Sequence, residues 1–328
     1  MKKRVLSGIR ATGRLHLGNY LGAVKGMLAL QNDPSYETLY MVADLHSINT
    51  QYDTKSFQES VRGVLLDYLS AGLDPEKSII FVQSHVPEHV ELSYLFSTTL
   101  TVARMLHLPT YKDKLKENSE NANMAMLYYP VLMASDILIY KANAVPVGDD
   151  QLPHLEVARE VARKMNEKYG TDFPEPEQFK TEGHYVPSLT GEGKMSKSVG
   201  GSYISLASTL SEIRAGTAKI PTDSGRGDKI PQIGGVTSLL EMVELFEGKE
   251  KRKEYEHQYL GQSGLVYSEV KNELAESIYK DIEPIQAKRK ELENNPEYVE
   301  KVIKEGSEMA RKIASETLRE VKQKMGLV

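Results

Sequence analysis

The chain predicts a doubly wound α/β fold, in which a parallel sheet lies between layers of helices, followed by an all-helical C-terminal domain. Three observations carry this. Short apolar runs alternate with longer stretches of helical period through the first half; the first run ends in a glycine-rich junction; beyond about residue 200 the strand pattern gives way to helical periodicity. A length of 328 residues suits two domains better than one.

The first strand is RVLSG (4–8), and it leads into GIRATGRLHLGNYLGA, which packs four glycines into 16 residues at a strand-to-helix junction. Glycine there lets the backbone approach a flat base or a phosphate with no Cβ in the way, and the helix N-terminus that follows offers free N–H groups and a positive dipole end. A plain tight turn with Asn19 capping the helix fits the same residues. The spacing matches neither the dinucleotide nor the P-loop fingerprint. A second strand is expected at TLYMVADL (38–45), then a helix from near Thr54 through Phe57, Val61, Val64, Leu65, Tyr68 and Leu69 to Gly72, then a third strand at SIIFVQS (78–84). In MLYYPVLMASDILIY, Pro130 fits the first turn of a helix, and Tyr129, Met133, Asp136 and Tyr140 then fall on one face at i, i+4, i+7 and i+11. AVPVG (144–148) reads as a fourth strand. A helix from about Asp150 to Tyr169 ends at Gly170, before DFPEPEQF, which cannot propagate it. Strands separated by helices imply a parallel sheet with right-handed crossovers. After GEGKMSKSVGG (191–201), helical segments are expected near 206–216, 236–247, 249–260, 265–293 and 296–326.

Hydrophobic residues at 40% and charged ones at 27% describe an ordinary globular chain, with no apolar run of membrane-spanning length. The opening MKKRVLSGIR holds no apolar stretch of signal-peptide length, so a cytoplasmic location is expected. Zero cysteines exclude disulfides, thiolate nucleophiles, iron–sulfur clusters and cysteine zinc sites, and the eight histidines show no metal-ligand spacing. A net charge of −5 argues against coating nucleic acid non-specifically, so any RNA site must be local. The chain contains no tryptophan.

Two places carry chemistry. Lys194 and Lys197 flank Met195 in a glycine-rich loop, a composition suited to an anion. Asp136 sits among Ala134, Ile137, Leu138 and Ile139, where a carboxylate needs a hydrogen-bonding partner. That partner can be another side chain or a ligand, and Met133 by itself suits a core position equally well.

His16-Leu17-Gly18-Asn19 after the first strand, paired with Lys194-Met195-Ser196-Lys197-Ser198 far downstream, resembles the two signatures of the class I aminoacyl-tRNA synthetases. The second matches throughout; the first departs at its last position, where Asn19 stands in place of histidine. The resemblance implies a Rossmann-like catalytic domain over 1–200. It implies ATP held at the helix start by His16, Arg10, Ala11, Thr12, Gly18 and Asn19, under a mobile loop formed by residues 194–198. The Lys194 and Lys197 ammonium groups would meet the charge that grows on departing pyrophosphate.

With Met133 and Asp136 on one helix face, the resemblance narrows to the bacterial-type tryptophanyl-tRNA synthetases and covers the whole chain; tyrosyl relatives carry glutamine where Met133 stands. It implies that Asp136 accepts the indole N–H, that Met133 packs on the ring, and that Leu6, His46, Tyr129, Val145, Val147 and Gln151 complete the pocket. Gly148, Asp149, Asp150 and Val186 would meet the nucleotide, and Lys112 or Lys114 its phosphates. Leu6 and Arg10 stand where some bacterial members have phenylalanine and glutamine. The implied reaction activates L-tryptophan with ATP and Mg²⁺, then charges tRNA(Trp). A homodimer interface would come from about 85–140, anticodon binding from 201–300, and a terminal helix over 301–328 would pack back on the catalytic body. That last stretch carries seven basic and four acidic residues, with apolar Val302, Ile303, Met309, Ile313, Leu318, Val321 and Met325. A tyrosyl enzyme, a non-tRNA nucleotidyltransferase and a silent RNA-binding paralogue compete with this reading. Met133, the long helical domain, and the retained His16 and lysine loop disfavour them in turn.

Overall fold

Strand β1 (Lys3–Arg10) lies at the centre of five parallel strands, with β2 (Tyr36–Ala43) and β3 (Ser78–Val82) on one side and β4 (Ala144–Val145) and β5 (Glu177–Gln178) on the other, in the order β3-β2-β1-β4-β5. The computed structural model describes residues 2–109, 111–112, 115, 123–180, 185–197, 199–262 and 264–328. Both faces of the sheet are covered, as a parallel sheet requires. Alternate residues of β2 therefore enter different cores, Tyr40 and Val42 one, Leu39, Met41 and Ala43 the other.

The first core packs α1 and α2. Helix α1 runs over Leu17–Asn19, widens to a π-helical stretch at Tyr20–Val24 and resumes over Lys25–Asn32; α2 spans Phe57–Ser70. The second core holds α3 (Glu88–Ser97), α4 (Val102–Leu106), α5 (Met124–Ile139) and α6 (Leu152–Tyr169). Beyond residue 205 come α7 (Leu210–Ala218), α8 (Gly235–Glu247), α9 (Lys249–Leu260), α10 (Tyr267–Glu293) and α11 (Pro296–Lys324). Leu239, Leu240, Ile278 and Ile282 from this helical region belong to the first core, as do Val64 and Leu65 of α2.

Three local expectations need correction. Pro130 is not in the first turn of its helix. Asn123 caps α5, its Oδ1 accepting from the Met126 N–H at 2.9 Å, and Pro130 lies buried in the interior. The missing proline N–H costs one helical hydrogen bond, which an apolar helix buried along most of its length tolerates. Tyr140 is the C-terminal cap of α5 and not a helical residue. The fourth strand stops at Val145, because Pro146 has no N–H for the ladder. β5 was not foreseen: it pairs through backbone alone, Glu177 N–H to Asn143 O (2.8 Å) and Phe179 N–H to Val145 O (2.9 Å), inside a proline-containing segment with no alternating pattern.

α11 crosses the β3 edge of the sheet and contributes to both cores, Val299 and Val302 to the first, Ala310, Ala314, Leu318 and Val321 to the second. Residues 300 and 301 lie within this one helix. The crossing is close at Gly306, where a Cβ would stand 1.8 Å from the Ile80 carbonyl oxygen. A helix laid on an edge strand also shields that edge from pairing with another chain. Among the described residues no helix is long and apolar enough to cross a membrane. Gly306→Ala must lift α11 from β3, so urea unfolding should show a stability loss of about 1–3 kcal/mol. An unchanged midpoint would mean that α11 is not seated there.

Candidate active site

The loops that carry the singled-out residues leave the C-terminal ends of β1, β2, β3 and β4. The strand order reverses between β1 and β4, and a doubly wound sheet opens a crevice at that point. Leu6 and Arg10 come from β1, Val145 and Val147 from β4 and the residues just after it.

The turn after β1 is held by side chains from outside it. The N–H groups of Ile9, Ala11 and Leu15 donate to the Tyr68 hydroxyl (2.8 Å), Ser47 Oγ (2.7 Å) and Asp67 Oδ2 (2.8 Å). Arg10 and Thr12 are exposed, and Ala11 is buried. His16, not Asn19, is the residue that caps α1. Its carbonyl accepts from the Asn19 and Tyr20 N–H groups, while Asn19 Oδ1 accepts from the His16 N–H at 3.2 Å. Asn19 thus does its capping from inside the helix. The His16 ring is buried, and its Nδ1 has no hydrogen-bond partner among the described residues. Burial, with the positive Lys197 nearby, pulls its pKa from 6.5 down to about 4, so the ring is neutral near pH 7. Gly18 makes room for it, since a Cβ there would stand 2.7 Å from His16 Cε1 and 3.4 Å from Met195 Cβ.

That last contact shows where the lysine loop lies. Met195 and Val186 are buried and joined by a Met195 N–H to Val186 O bond of 2.9 Å, and Pro187 bridges to Lys194. The Ser196 N–H donates to Ser202 Oγ (3.3 Å), and Lys197 Nζ donates to the Thr12 carbonyl (3.1 Å). Leu17 N–H to Ile204 O and Leu206 N–H to Leu15 O, both 3.0 Å, stitch the following segment to the same turn. The two signatures therefore meet. Lys194 is exposed, and Ser198 lies outside the described residues. Burial lowers the Lys197 ammonium, against the pull of Asp67 and with the help of Arg14.

Asp136 is 2% exposed and surrounded by donors. His46 Nε2 stands 2.7 Å from Oδ2, His89 Nδ1 2.5 Å from Oδ1, and Gln83 Nε2 2.9 and 3.0 Å from the two oxygens. Burial alone would raise this carboxyl, but the hydrogen bonds and charge of His46 and His89 hold it well below the usual carboxylate range. An ionised carboxylate only accepts, so both imidazoles donate to it; His89 Nε2 is hydrogen-bonded in turn to the Tyr140 hydroxyl at 2.7 Å. Gln83 is oriented in turn, its Oε1 accepting from the Leu45 N–H at 3.1 Å.

Around this carboxylate, Leu6, Met133, Val145 and Val147 belong to one apolar cluster. Tyr129 meets the His46 ring edge-on at 6.3 Å, and its hydroxyl is hydrogen-bonded to His154, whose Nδ1 lies 3.0 Å from Gln151 Oε1. Gly148, Asp149 and Asp150 are exposed ahead of α6. Neither aspartate caps that helix; they accept from Gln178 Nε2 (2.8 Å) and Gln151 Nε2 (2.7 Å). Lys112 is exposed, and Lys114 lies outside the described residues. Gln83, His89 and His154 escaped the reading of the sequence. A polar residue just past a strand end, as in FVQSHVPEH, was the available signal. No group of three or more histidine, aspartate or glutamate residues is placed to hold a metal ion among the described residues.

A nucleotide-type crevice at the switch point of a parallel sheet, met by a lysine loop from later in the chain, is the arrangement of a class I synthetase. The family profile for class I tRNA synthetases (W and Y) matches residues 1–282, and the chain belongs to that family. It is 40% identical over 331 residues to the tryptophan–tRNA ligase of Fusobacterium nucleatum subsp. nucleatum, covering 99% of this chain and 98% of that one. It is 37% identical over 329 residues to the ligase of the same name from Thermotoga maritima, covering 99% of each. The crystal structure of tryptophanyl-tRNA synthetase from Campylobacter jejuni complexed with ADP and tryptophan aligns with a TM-score of 0.86 at 31% identity, over 99% of this chain and 100% of that one.

The burial of His16 has a measurable consequence. Because its folded pKa is depressed, the unfolded chain takes up a proton first, and this group costs stability as pH falls from 6.5 towards about 4. In NMR titration of ring-labelled protein, the His16 resonance should turn over near pH 4; a midpoint near 6.5 would contradict the buried, neutral imidazole.

Proposed function

We propose that the protein is an ATP-dependent tryptophan–tRNA ligase. The carboxylate of L-tryptophan attacks the α-phosphorus of ATP, the bond to the β-phosphate oxygen breaks, and tryptophanyl-adenylate and pyrophosphate form. A ribose hydroxyl of the 3′-terminal adenosine of tRNA(Trp) then takes the tryptophanyl group, and AMP leaves. The observation that carries this reading is Asp136, an ionised acceptor set beside Met133 and an apolar cluster. Three side chains meet it through four contacts, Gln83 Nε2 reaching both oxygens, so an indole N–H is accepted in place of one of these contacts.

The roles divide along the crevice. Leu6, His46, Tyr129, Met133, Asp136, Val145, Val147 and Gln151 form the amino acid pocket. Arg10, Ala11, Thr12, Gly18, Asn19, Gly148, Asp149, Asp150, Val186, Met195, Ser196 and Ser198 serve the nucleotide. His16, neutral and beside Gly18, supports the phosphates without adding charge. Lys194 and Lys197 meet the charge developing on pyrophosphate. Mg²⁺ enters as part of the substrate MgATP, held through phosphate oxygens.

Three further parts of the reading concern the rest of the chain. Residues 201–300 would read the anticodon, and 301–328 would tie that region back to the catalytic body. A homodimer would form through 85–140, where Val90, Tyr94, Val102, Leu106 and Met124 are exposed while Leu92, Phe96 and Met105 are buried beneath them. Part of that stretch, 110, 113–114 and 116–122, lies outside the described residues. A cytoplasmic location accompanies this function.

ATP–pyrophosphate exchange tests it. Tryptophan should drive exchange, and tyrosine and phenylalanine should not. Tyrosine-driven exchange would overturn the pocket, and exchange with none of the three would overturn the enzyme. Lys197→Ala should lower single-turnover adenylate formation by ~10²-fold or more, with tryptophan affinity kept. Equal rates in variant and wild type would remove Lys197 from the mechanism.

A further inference from the structure

Asp67 is fully buried in the middle of α2, and the tryptophan–tRNA ligase reaction as proposed gives it no task. Its partners come from two distant parts of the chain. The Leu15 N–H donates to Oδ2 at 2.8 Å, Arg14 Nε lies 3.1 and 3.3 Å from the two oxygens, and Arg289 Nη1 of α10 donates to Oδ1 at 2.7 Å. Arg289 is itself buried. The same Nη1 donates to the Gly63 carbonyl at 2.9 Å, and its Nε donates to Glu293 at 2.7 Å.

The residue so gripped is the one before His16, and its carbonyl accepts from the Leu206 N–H behind the lysine loop. We propose that Asp67 is a positioning residue for ATP: with Arg14 and Arg289 it clamps the turn that carries His16 and Gly18, and through Arg289 it fixes that turn to the long helix α10. Buried charge-assisted bonds hold geometry tightly because any slip leaves a charge unpaired in a low dielectric. A phosphate-binding turn depends on that, since a displacement near 1 Å is enough to misalign a reacting group. The Lys197 ammonium feels both Asp67 and Arg14, so the clamp also sets part of the field at the lysine loop.

The effect is one-sided. Asp67 and α10 line the sheet face that holds α1 and α2, whereas Met133 and the apolar residues around Asp136 belong to the opposite core. The clamp therefore governs ATP and spares tryptophan. It also makes α10, a helix of the region proposed to read the anticodon, a direct mechanical support of the ATP turn.

The inference rests on the proposed function, and equilibrium binding separates the two. Full-length wild type, Arg289→Met, Arg289→Lys and Arg14→Met would be titrated calorimetrically with MgATP and, separately, with tryptophan. Arg289→Met should weaken MgATP binding ~10-fold or more and leave tryptophan binding within about 2-fold, while Arg289→Lys, which keeps donors for Asp67 and Gly63, recovers part of the loss. If Arg289→Met does not fold, Arg14→Met carries the test in the same direction, because the Arg14 side chain is 34% exposed and its removal strands less charge. Unchanged MgATP affinity in the variants, or equal weakening of both ligands, overturns the clamp alone. Wild type that binds neither ligand overturns the functional reading and the clamp with it.

Discussion

A carboxylate that stays ionised inside a protein must be met by donors from every side, and Asp136 imposes that requirement on the crevice. Its partners are drawn from different connections: His46 after β2, Gln83 after β3 and His89 in α3, with Asp136 itself on α5. Removing one partner of such a buried charge generally costs about 3–5 kcal/mol, so the strand-end loops are tied to one another as firmly as they are to the sheet. Tyr140 and Leu45 extend the network by fixing His89 and Gln83. The outcome is a carboxylate acceptor held in a fixed direction against an apolar wall, which is what recognition of an indole asks for in the proposed function.

The other half of the crevice is built from backbone. The lysine loop reaches the HLGN turn through the Lys197 contact to Thr12, and the segment behind the loop is joined to that turn by main-chain bonds at Leu15, Leu17, Ile204 and Leu206. Such bonds leave side chains free for phosphates. His16 is neutral, so the positive charge of the turn comes from Arg10 and Arg14, and Lys194 and Lys197 add that of the lysine loop. In the proposed function the charge of that loop acts where pyrophosphate departs, as expected of a site complementary to a transition state.

Much of this was legible in the sequence because its determinants are local. The strands announced themselves as apolar runs, and the helices after residue 205 by their period. The two signatures are contiguous strings whose residue types state their chemistry. What stayed hidden depended on distant partners. Nothing in VLLDYL says that Asp67 will meet Arg14 and Arg289, although an aspartate among the apolar residues of an amphipathic helix is itself a sign of a buried partner. Gln83 and His89 look like ordinary polar residues until α5 brings Asp136 to them. Pro130 misled for a related reason: tertiary burial stabilises α5 enough to carry a proline in its interior, which propensity alone disfavours. β5 has almost no side-chain signature because its role is to pair backbone.

The claim at the centre of this account is that the Asp136 carboxylate selects the amino acid. The most direct measurement is the ratio of kcat/KM for tryptophan over phenylalanine in pyrophosphate exchange, wild type against Asp136→Asn, with KM for ATP followed in the same assay. The account predicts that the variant loses ~10²-fold or more of its discrimination while KM for ATP changes little. A variant that keeps the full preference for tryptophan would contradict it.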